Sequence, residues 1–149
     1  DHGAALGLVT HRIGPFVPTF EGGQAAAQQL LGRLPTAIIT YNDLVAIGLM
    51  QAFIRAGIKI PEQVSVVGFD DILISRIFLP ALTTVCSPVR QMGMTAVENV
   101  IAMINGAKHS GGEALMLPTA LKVRGSTGQR RRKRVSPALG TTIVSGSAS

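Results

Sequence analysis

The sequence predicts an α/β protein with a mostly parallel sheet, and three consecutive segments carry that prediction. Residues 36–41, TAIITY, form a short β-branched run of strand length. A helical apolar pattern follows from Leu44 to Ile54 and stops before Gly57, which suits a left-handed C-cap. Residues 64–69, VSVVGF, are a continuous apolar run typical of a strand buried on both faces. Strand, helix and strand in this order predict a βαβ unit with a right-handed crossover.

Further elements are predicted on both sides of this unit. A helix that opens at Gly22-Gly23 leads into the first strand, and residues 82–87, LTTVCS, read as a strand that ends at Pro88. The segment Val89–Ile104 is amphipathic at helical spacing and ends at Asn105-Gly106. ALMLP (114–118) and ALKVRG (120–125) read as short strands interrupted by a proline. The chain opens without methionine on what reads as a helix end, so we expect it to be a fragment.

The basic charge is concentrated in the tail. The 149-residue chain carries a formal charge of +6, and five of its 14 Lys and Arg residues stand together at 130–134. Without that run, nine basic residues face eight acidic ones, so the predicted folded part is nearly neutral. Residues 129–149 are rich in Ser, Gly and Arg, which predicts a disordered tail. Such a tail is either a solvated extension or a contact for nucleic acid or a membrane surface.

The composition narrows the classes of function. Cys86 is the only cysteine, so an internal disulfide is impossible and a reducing, cytoplasmic location is expected. No apolar stretch approaches the ~20 residues that cross a bilayer. The three histidines, His2, His11 and His109, lack metal-ligand spacing, and no nucleophile elbow, Walker loop or dinucleotide fingerprint occurs. We therefore expect no metal, no cofactor and no catalytic residues, although an enzyme that uses Asp70 as a base is a third possibility.

Two polar residues follow the ends of neighbouring predicted strands. Asn42 follows TAIITY and Asp70 follows VSVVGF. The carboxyl ends of parallel strands form the crevice where ligands bind, so both side chains are expected at one mouth. A carboxylate accepts hydrogen bonds from vicinal hydroxyls, and an amide both donates and accepts, which suits a sugar. The alternatives are that Asn42 only caps its helix and that Asp70 only satisfies loop amides, and Asp71 could exchange roles with Asp70.

Three further residues are candidates for the same crevice. Phe16 and Phe20 precede the glycine pair in a predicted loop, where an aromatic face could stack on a sugar ring. Either one could equally be a hydrophobic plug beneath the loop. Ser87 ends a predicted strand and could line the crevice, or it could simply be solvated.

Long stretches of the chain resemble the ligand-binding domain of the lactose/galactose-repressor family. The similarity rests on PTAIITYNDLVAIGLMQAFIRAGIKIPEQVSVVGFDD, on LPALTTVCSPVRQMGMTAVENVI and on LPTALKVRGSTG, which occur in the family's order and spacing from Gly22 to Gly128. The resemblance implies a periplasmic-binding-protein-like fold of type I, a three-layer sandwich in which two α/β subdomains enclose an effector. Residues 1–128 would be a partial effector-binding domain, chiefly the C-terminal subdomain, with 89–110 belonging to the N-terminal subdomain.

The resemblance also implies a function and partners. The chain would sense a small-molecule effector, expected to be a sugar, and the whole regulator would bind operator DNA through an N-terminal helix-turn-helix that this chain lacks. The alternative is a periplasmic sugar-binding protein of a transport system. Because this chain would form only one side of the cleft, we expect weak or absent sugar affinity for the chain alone.

The family's functional positions carry over to seven residues of this chain. Its cleft positions match Asn42 and Asp70, while the position after the crossing strand matches Ser87, where several members carry a longer polar residue. The ring-stacking aromatic matches Phe16 or Phe20, two residues out of register in either alignment. The family's homodimer interface carries over to Ile47 and Phe78.

Overall fold

The polypeptide folds into five helices and six strands within the residues that are described. A computed structural model describes residues 2–106, 116–129 and 141–146. The helices are α1 (His2–Ala5), α2 (Phe20–Leu30), α3 (Asp43–Arg55), α4 (Leu73–Ile77) and α5 (Val89–Ile104). The strands are β1 (Thr10–Phe16), β2 (Ala37–Thr40), β3 (Ser65–Phe69), β4 (Thr83–Cys86), β5 (Ala120–Lys122) and β6 (Thr141–Gly146).

All six strands form one sheet in the order β1-β6-β2-β3-β4-β5. Every neighbouring pair is parallel except β4 and β5, which run antiparallel at one edge. The helix α3 connects β2 to the adjacent β3, so the predicted βαβ unit is confirmed. The carboxyl ends of β2, β3 and β4 consequently lie along the same edge of the sheet.

Local signals set the limits of α3 as the sequence predicts. The side-chain oxygen of Asn42 accepts a hydrogen bond from the amide of Val45 at 2.9 Å, which is the geometry of an N-cap. At the other end Gly57 adopts a φ of +76°, the left-handed conformation that the predicted C-cap requires. The helix α2 begins two residues before the predicted Gly22-Gly23, because the Thr19 hydroxyl accepts from the amide of Gly22 and caps it there.

Glycines allow α2 and α3 to pack backbone against backbone. A Cβ atom on Gly23 would lie 2.1 Å from the carbonyl oxygen of Val45, and one on Gly48 would lie 1.9 Å from that of Phe20. Neither distance is possible for a real side chain, so both positions need glycine. The close pairing places Ala26, Ala27 and Leu30 in the same core as the buried face of α3.

The helices bury one face of the central strands. Ile38 on β2 and Val66 on β3 are fully buried in the hydrophobic core. Alternate residues point to the opposite face, where Ile39 is 43% and Phe69 is 39% exposed. The sequence predicts burial of β3 on both faces, whereas in the structure its second face is partly exposed.

Two segments stand apart from this core. The helix α5 contains no buried residue, and its apolar side chains are about half exposed or more. The segment Thr141–Gly146 differs from the predicted disordered tail, because it forms a strand inside the sheet. Its β-branched sequence, TTIV, has the strand propensity that the Ser- and Arg-rich surroundings conceal. The basic run 130–134 lies outside the described residues, as do 135–140 and 147–149.

Candidate functional site

Three of the predicted site residues lie at the carboxyl ends of adjacent strands. Asn42 follows β2, Asp70 follows β3 and Ser87 follows β4. These strands are parallel neighbours in the sheet, so the three positions share one edge. The side chains at this edge nevertheless differ in their hydrogen bonds and in their exposure.

The side chain of Asn42 is committed to holding the fold together. Its oxygen caps α3, and its amide nitrogen donates to the carbonyl oxygen of Pro18 at 3.1 Å. The residue therefore ties the loop before α2 to the start of α3. The sequence allows Asn42 to be either a ligand-binding residue or only a helix cap, and in the structure its side chain forms the cap.

Asp70 presents a carboxylate to solvent from a fixed backbone. Its φ of 112° is rare for a residue with a side chain, and its amide donates to the carbonyl oxygen of Val85 at 2.8 Å. Within the described part of the chain no group donates a hydrogen bond to the Asp70 carboxylate. Partial loss of water raises the pKa of Asp70, and the nearby charge of Asp43 raises it further. Among the described residues, Asp70 is thus an exposed acceptor whose carboxylate is not committed to a donor.

Asp71 has the opposite role, although it is the same residue type next in sequence. Its side chain is 2% exposed and forms ion pairs with Arg124 and, at 2.9 Å, with Arg76. Burial alone would raise the pKa of Asp71, but the hydrogen bonds from the two guanidinium groups outweigh it and lower the pKa. The structure therefore separates the two aspartates, with Asp71 buried in an ion pair and Asp70 exposed.

A third carboxylate, Asp43, is fully buried behind this edge and was not predicted as a site residue. Its two oxygens accept from the Thr84 hydroxyl at 2.6 Å and from the amide of Ile72 at 2.9 Å. Burial raises the pKa of Asp43 more strongly than these hydrogen bonds lower it. Gly68 makes room for it, because a Cβ there would lie 2.2 Å from an Asp43 oxygen. The only signal in the sequence was a helix-start aspartate, which ordinarily faces water.

Asp70 and Ser87 lie together in an open groove of about 840 Å³. One wall comes from the end of β3 and from Arg76, and the other comes from the first turns of α5. The groove is lined by Asp70, Asp71, Arg76, Cys86, Ser87, Pro88, Val89, Arg90, Gln91, Met94, Thr95 and Glu98. Carboxylates, guanidinium groups and an amide therefore face one space, so both donors and acceptors are available to a polar ligand.

The two candidate aromatics lie away from this groove. Phe16 lines a separate depression of about 390 Å³ with Val17 and Thr19. Phe20 is the first residue of α2 and packs against the core. Two strands, β6 and β2, separate β1 from β3, which explains why an aromatic on β1 does not reach Asp70.

The predicted dimer contact at Ile47 is wrong for this structure. Ile47 is 4% exposed and belongs to the core, so it offers almost no surface to a partner. The resemblance assigned Ile47 to a dimer interface, whereas in this chain its side chain lies within the core. Phe78 is partly buried against the core. Its neighbours on and after α4 are the exposed apolar residues, with Leu73 at 72%, Ile77 at 69% and Leu79 at 81%.

The described residues contain neither a cluster of metal-ligating side chains nor a membrane-spanning helix. Within 2–106, 116–129 and 141–146, no three His, Cys, Asp or Glu side chains cluster as metal ligands would. The helices in the same residues are too short or too polar to cross a membrane.

The sequence of the chain matches a known domain family. The model of the periplasmic binding protein-like domain matches residues 2–127. The chain therefore belongs to the periplasmic binding protein-like domain family.

Relatives of known type are bacterial transcription regulators. The chain is 42% identical over 119 residues to the HTH-type transcriptional regulator MalR of Streptomyces coelicolor, which covers 80% of this chain and 34% of that protein. It spans about a third of the length of the curated relatives that it matches.

Solved structures give the same result. A LacI family transcriptional regulator from Enterococcus faecalis with bound ribose superimposes with a TM-score of 0.71 at 33% identity, covering 75% of this chain and 42% of that one. The lac repressor dimer bound to operator and the anti-inducer ONPF superimposes with a TM-score of 0.67 at 32% identity, covering 73% and 38%. The resemblance to the lactose/galactose-repressor family is confirmed.

Proposed function

We propose that this chain is the effector-sensing part of a LacI-type transcription regulator, and that the groove beside Asp70 binds a sugar. The observation that carries the proposal is the Asp70 carboxylate, which is exposed, held at a fixed backbone angle and unpaired among the described residues. A carboxylate in this state can accept hydrogen bonds from two vicinal hydroxyls. The groove volume of about 840 Å³ lies within the range of small-molecule sites.

The facing wall supplies donors that complement Asp70. Arg90 and Gln91 lie in the first turn of α5, and the outer partner of Asp71, Arg76, is 58% exposed and borders the same space. Ser87 adds a hydroxyl from the end of β4. A polyhydroxylated ring would thus meet an acceptor at Asp70 and donors at several positions around the groove. Relatives that were solved with bound ribose or sucrose support a sugar as the ligand.

A regulator is favoured over the alternative, a sugar-binding protein of a transport system. The relatives with the fold and the sequence similarity are transcription regulators. In this proposal a cytoplasmic sensor responds to the sugar and DNA is contacted elsewhere, since this chain covers about a third of such regulators. Sugar binding would change how the domain sits against the rest of the protein and so change operator affinity.

The test is a titration of the isotope-labelled chain with ribose, sucrose and a sugar alcohol, followed by amide chemical shifts. We expect weak binding, near millimolar, because the groove is open on one side. Shifts should be confined to residues 70–76 and 86–91. Asp70→Asn should weaken binding by roughly 30-fold, since a hydrogen bond to a charged group contributes about 2 kcal/mol.

The matched control is Glu62→Gln, which removes the same charge at an exposed position outside the groove. It should bind like the parent chain. Equal binding by the Asp70→Asn variant and the parent would contradict the role of Asp70. No response to any polyol would contradict sugar binding by this groove in the isolated chain.

We also propose that the regulator is a homodimer that pairs through the surface formed by Leu73, Ile77 and Leu79, with Phe78 beneath it. These three aliphatic side chains are largely exposed next to Phe78, which packs against the core, and the similar lac repressor is a dimer. Ile77→Asp should shift the sedimentation of the chain towards monomer. Ile104→Asp, at an equally exposed apolar position on α5, is the control and should leave the association unchanged. Equal effects of the two variants would refute this surface.

A further inference from the structure

The strand β6 occupies an unusual place in the sheet. It is the last described strand of the chain, and it lies between the first two, β1 and β2, parallel to both. In doubly wound sheets with the order 2-1-3-4-5, the place between the second and third strands belongs to the strand that opens the fold. In this sheet β1, β2, β3 and β4 stand where the second, third, fourth and fifth strands of that order stand. The strand β6 stands where its first strand does.

The segment that forms β6 lies outside the part of the chain that matches the family. The family model ends at residue 127, and β6 spans Thr141–Gly146. The match therefore includes β1 and β2 without the strand that joins them. We propose that Thr141–Gly146 is a donor strand, supplied by the same chain, that fills this place and holds β1 on the sheet.

The pairing explains why β1 depends on this strand. Thr10, His11, Arg12 and Ile13 pair with residues 141–144, and in the sheet β1 has no neighbour except β6 among the described strands. Pro15 lacks an amide hydrogen, so β1 is suited to the edge and cannot be paired fully on both sides. Without β6, the strands β1 and β2 would stand two strand spacings apart, about 10 Å, which is beyond hydrogen-bonding reach.

The route of the chain makes donation within one molecule easy. The amide of Gly128 donates to the Ser65 hydroxyl at 3.2 Å, which places the end of the family-matched region at the amino end of β3. Ser65 pairs with Ala37, and the next residue of β2, Ile38, pairs with Thr142. The start of β6 is thus two strands away at the same edge, again about 10 Å. A dozen residues stand between Gly128 and Thr141, and an extended segment of that length spans up to roughly 40 Å, which exceeds this distance.

The sequence of the segment also suits a central strand. Thr141, Thr142, Ile143 and Val144 are β-branched, which favours extended backbone. Ile143 pairs on both sides, with Arg12 of β1 and Ile39 of β2. A strand paired on both sides is sensitive to loss of a single amide donor, and this provides a direct test.

The first experiment fixes the register by disulfide formation in the full chain. In a Cys86→Ser background, the pair Arg12→Cys and Ile143→Cys joins residues that are opposite each other, whereas Arg12→Cys with Val144→Cys points the thiols to opposite faces. We expect the first pair to form an intramolecular disulfide at least ten times more completely than the second, by peptide mapping. Equal yields would refute the register, and disulfides between molecules would refute donation within one chain.

The second experiment measures hydrogen exchange of backbone amides. Ile143→Pro removes a donor in the middle of β6, and Ile143→Val keeps both the donor and the β-branched shape. Residues 10–16 should exchange at least tenfold faster in the proline variant and at the parent rate in the valine variant. Identical exchange in all three proteins would refute the proposal. Should the proline variant fail to fold, the parent chain still decides, because unprotected amides at 142–144 would refute it and protected ones support it.

Discussion

The ion pair between Asp71 and Arg124 offers the sharpest test of how the edge of the sheet is held. Arg124→Met would leave the Asp71 carboxylate, which is 2% exposed, without its buried partner. Arg124 also donates to the carbonyl oxygen of Leu82 at 2.8 Å and to the Ser75 hydroxyl at 3.1 Å, so three acceptors lose a donor. Breaking a buried pair on one side costs about 3–5 kcal/mol. Since Arg76 remains, the lower end of that range is expected.

The assay is urea unfolding of Arg124→Met beside Arg76→Met. Arg76 pairs with the same carboxylate but is 58% exposed, so its loss should cost under about 1 kcal/mol. A loss of about 3 kcal/mol for Arg124→Met lowers the midpoint at an unchanged slope and lowers the melting temperature by roughly 10 °C. Equal destabilisation by the two variants would refute the argument that burial makes Arg124 the dominant partner.

The same pair predicts a pH dependence. Because the arginines lower the pKa of folded Asp71 below its unfolded value, the ion pair stabilises the protein above the unfolded pKa, and this stabilisation is lost as pH falls through the folded pKa. In Arg124→Met the buried carboxyl is expected to take up its proton at a higher pH. The stability deficit of the variant should therefore be largest near neutral pH and narrow as the pH falls towards about 4. A deficit that is constant with pH would mean that packing, and not charge, explains the loss.

Three further predictions follow from single positions. Asn42→Ala should cost about 1 kcal/mol in the free energy of unfolding because α3 loses its cap, whereas Asn42→Asp keeps the accepting oxygen. Gly48→Ala should cost about 1–3 kcal/mol through collision with the Phe20 carbonyl, while Gly93→Ala, with open space around it on α5, should stabilise by up to about 1 kcal/mol. Asp70→Gly should raise stability slightly, since a φ of 112° suits glycine, and abolish sugar-induced shifts. Thermal unfolding checks the three changes in stability, and the sugar titration checks binding. An Asp70→Gly variant that still binds sugar would contradict the role of Asp70 in the site.

Local signals explain which parts of the fold could be predicted. The βαβ unit was readable because a capping residue, a 3.6-residue apolar period and a C-cap glycine lie within the segment that they specify. The strand β6 was missed because composition was averaged over 21 residues, and four β-branched residues were outweighed by their Arg, Ser and Gly neighbours. The partner strands that make β6 favourable are β1 and β2, over 100 residues earlier. Nothing near residue 141 encodes that pairing.

In the site too, the positions that depend on local sequence could be predicted, and the roles that depend on contacts with distant residues could not. Strand ends placed Asp70 and Ser87 at one edge, and the structure brings both into one groove. The roles of Asp70 and Asp71 could not be assigned, because the residue that distinguishes them, Arg124, is 53 positions away from Asp71. Asp43 was hidden for a similar reason, since its burial depends on Gly68 and Thr84 of other elements.

The exposed acidic residue depends on its buried neighbour. Two arginines hold the side chain of Asp71, and its amide donates to the Thr84 hydroxyl at 3.4 Å. These contacts fix the backbone that follows β3. Asp70 is held from the other side, by the bond from its amide to Val85. With both flanks fixed, the backbone at Asp70 retains a strained angle that turns its carboxylate into the groove. A ligand then meets an acceptor that is already positioned, and the energy that keeps it there comes from the ion pairs behind it, not from the ligand.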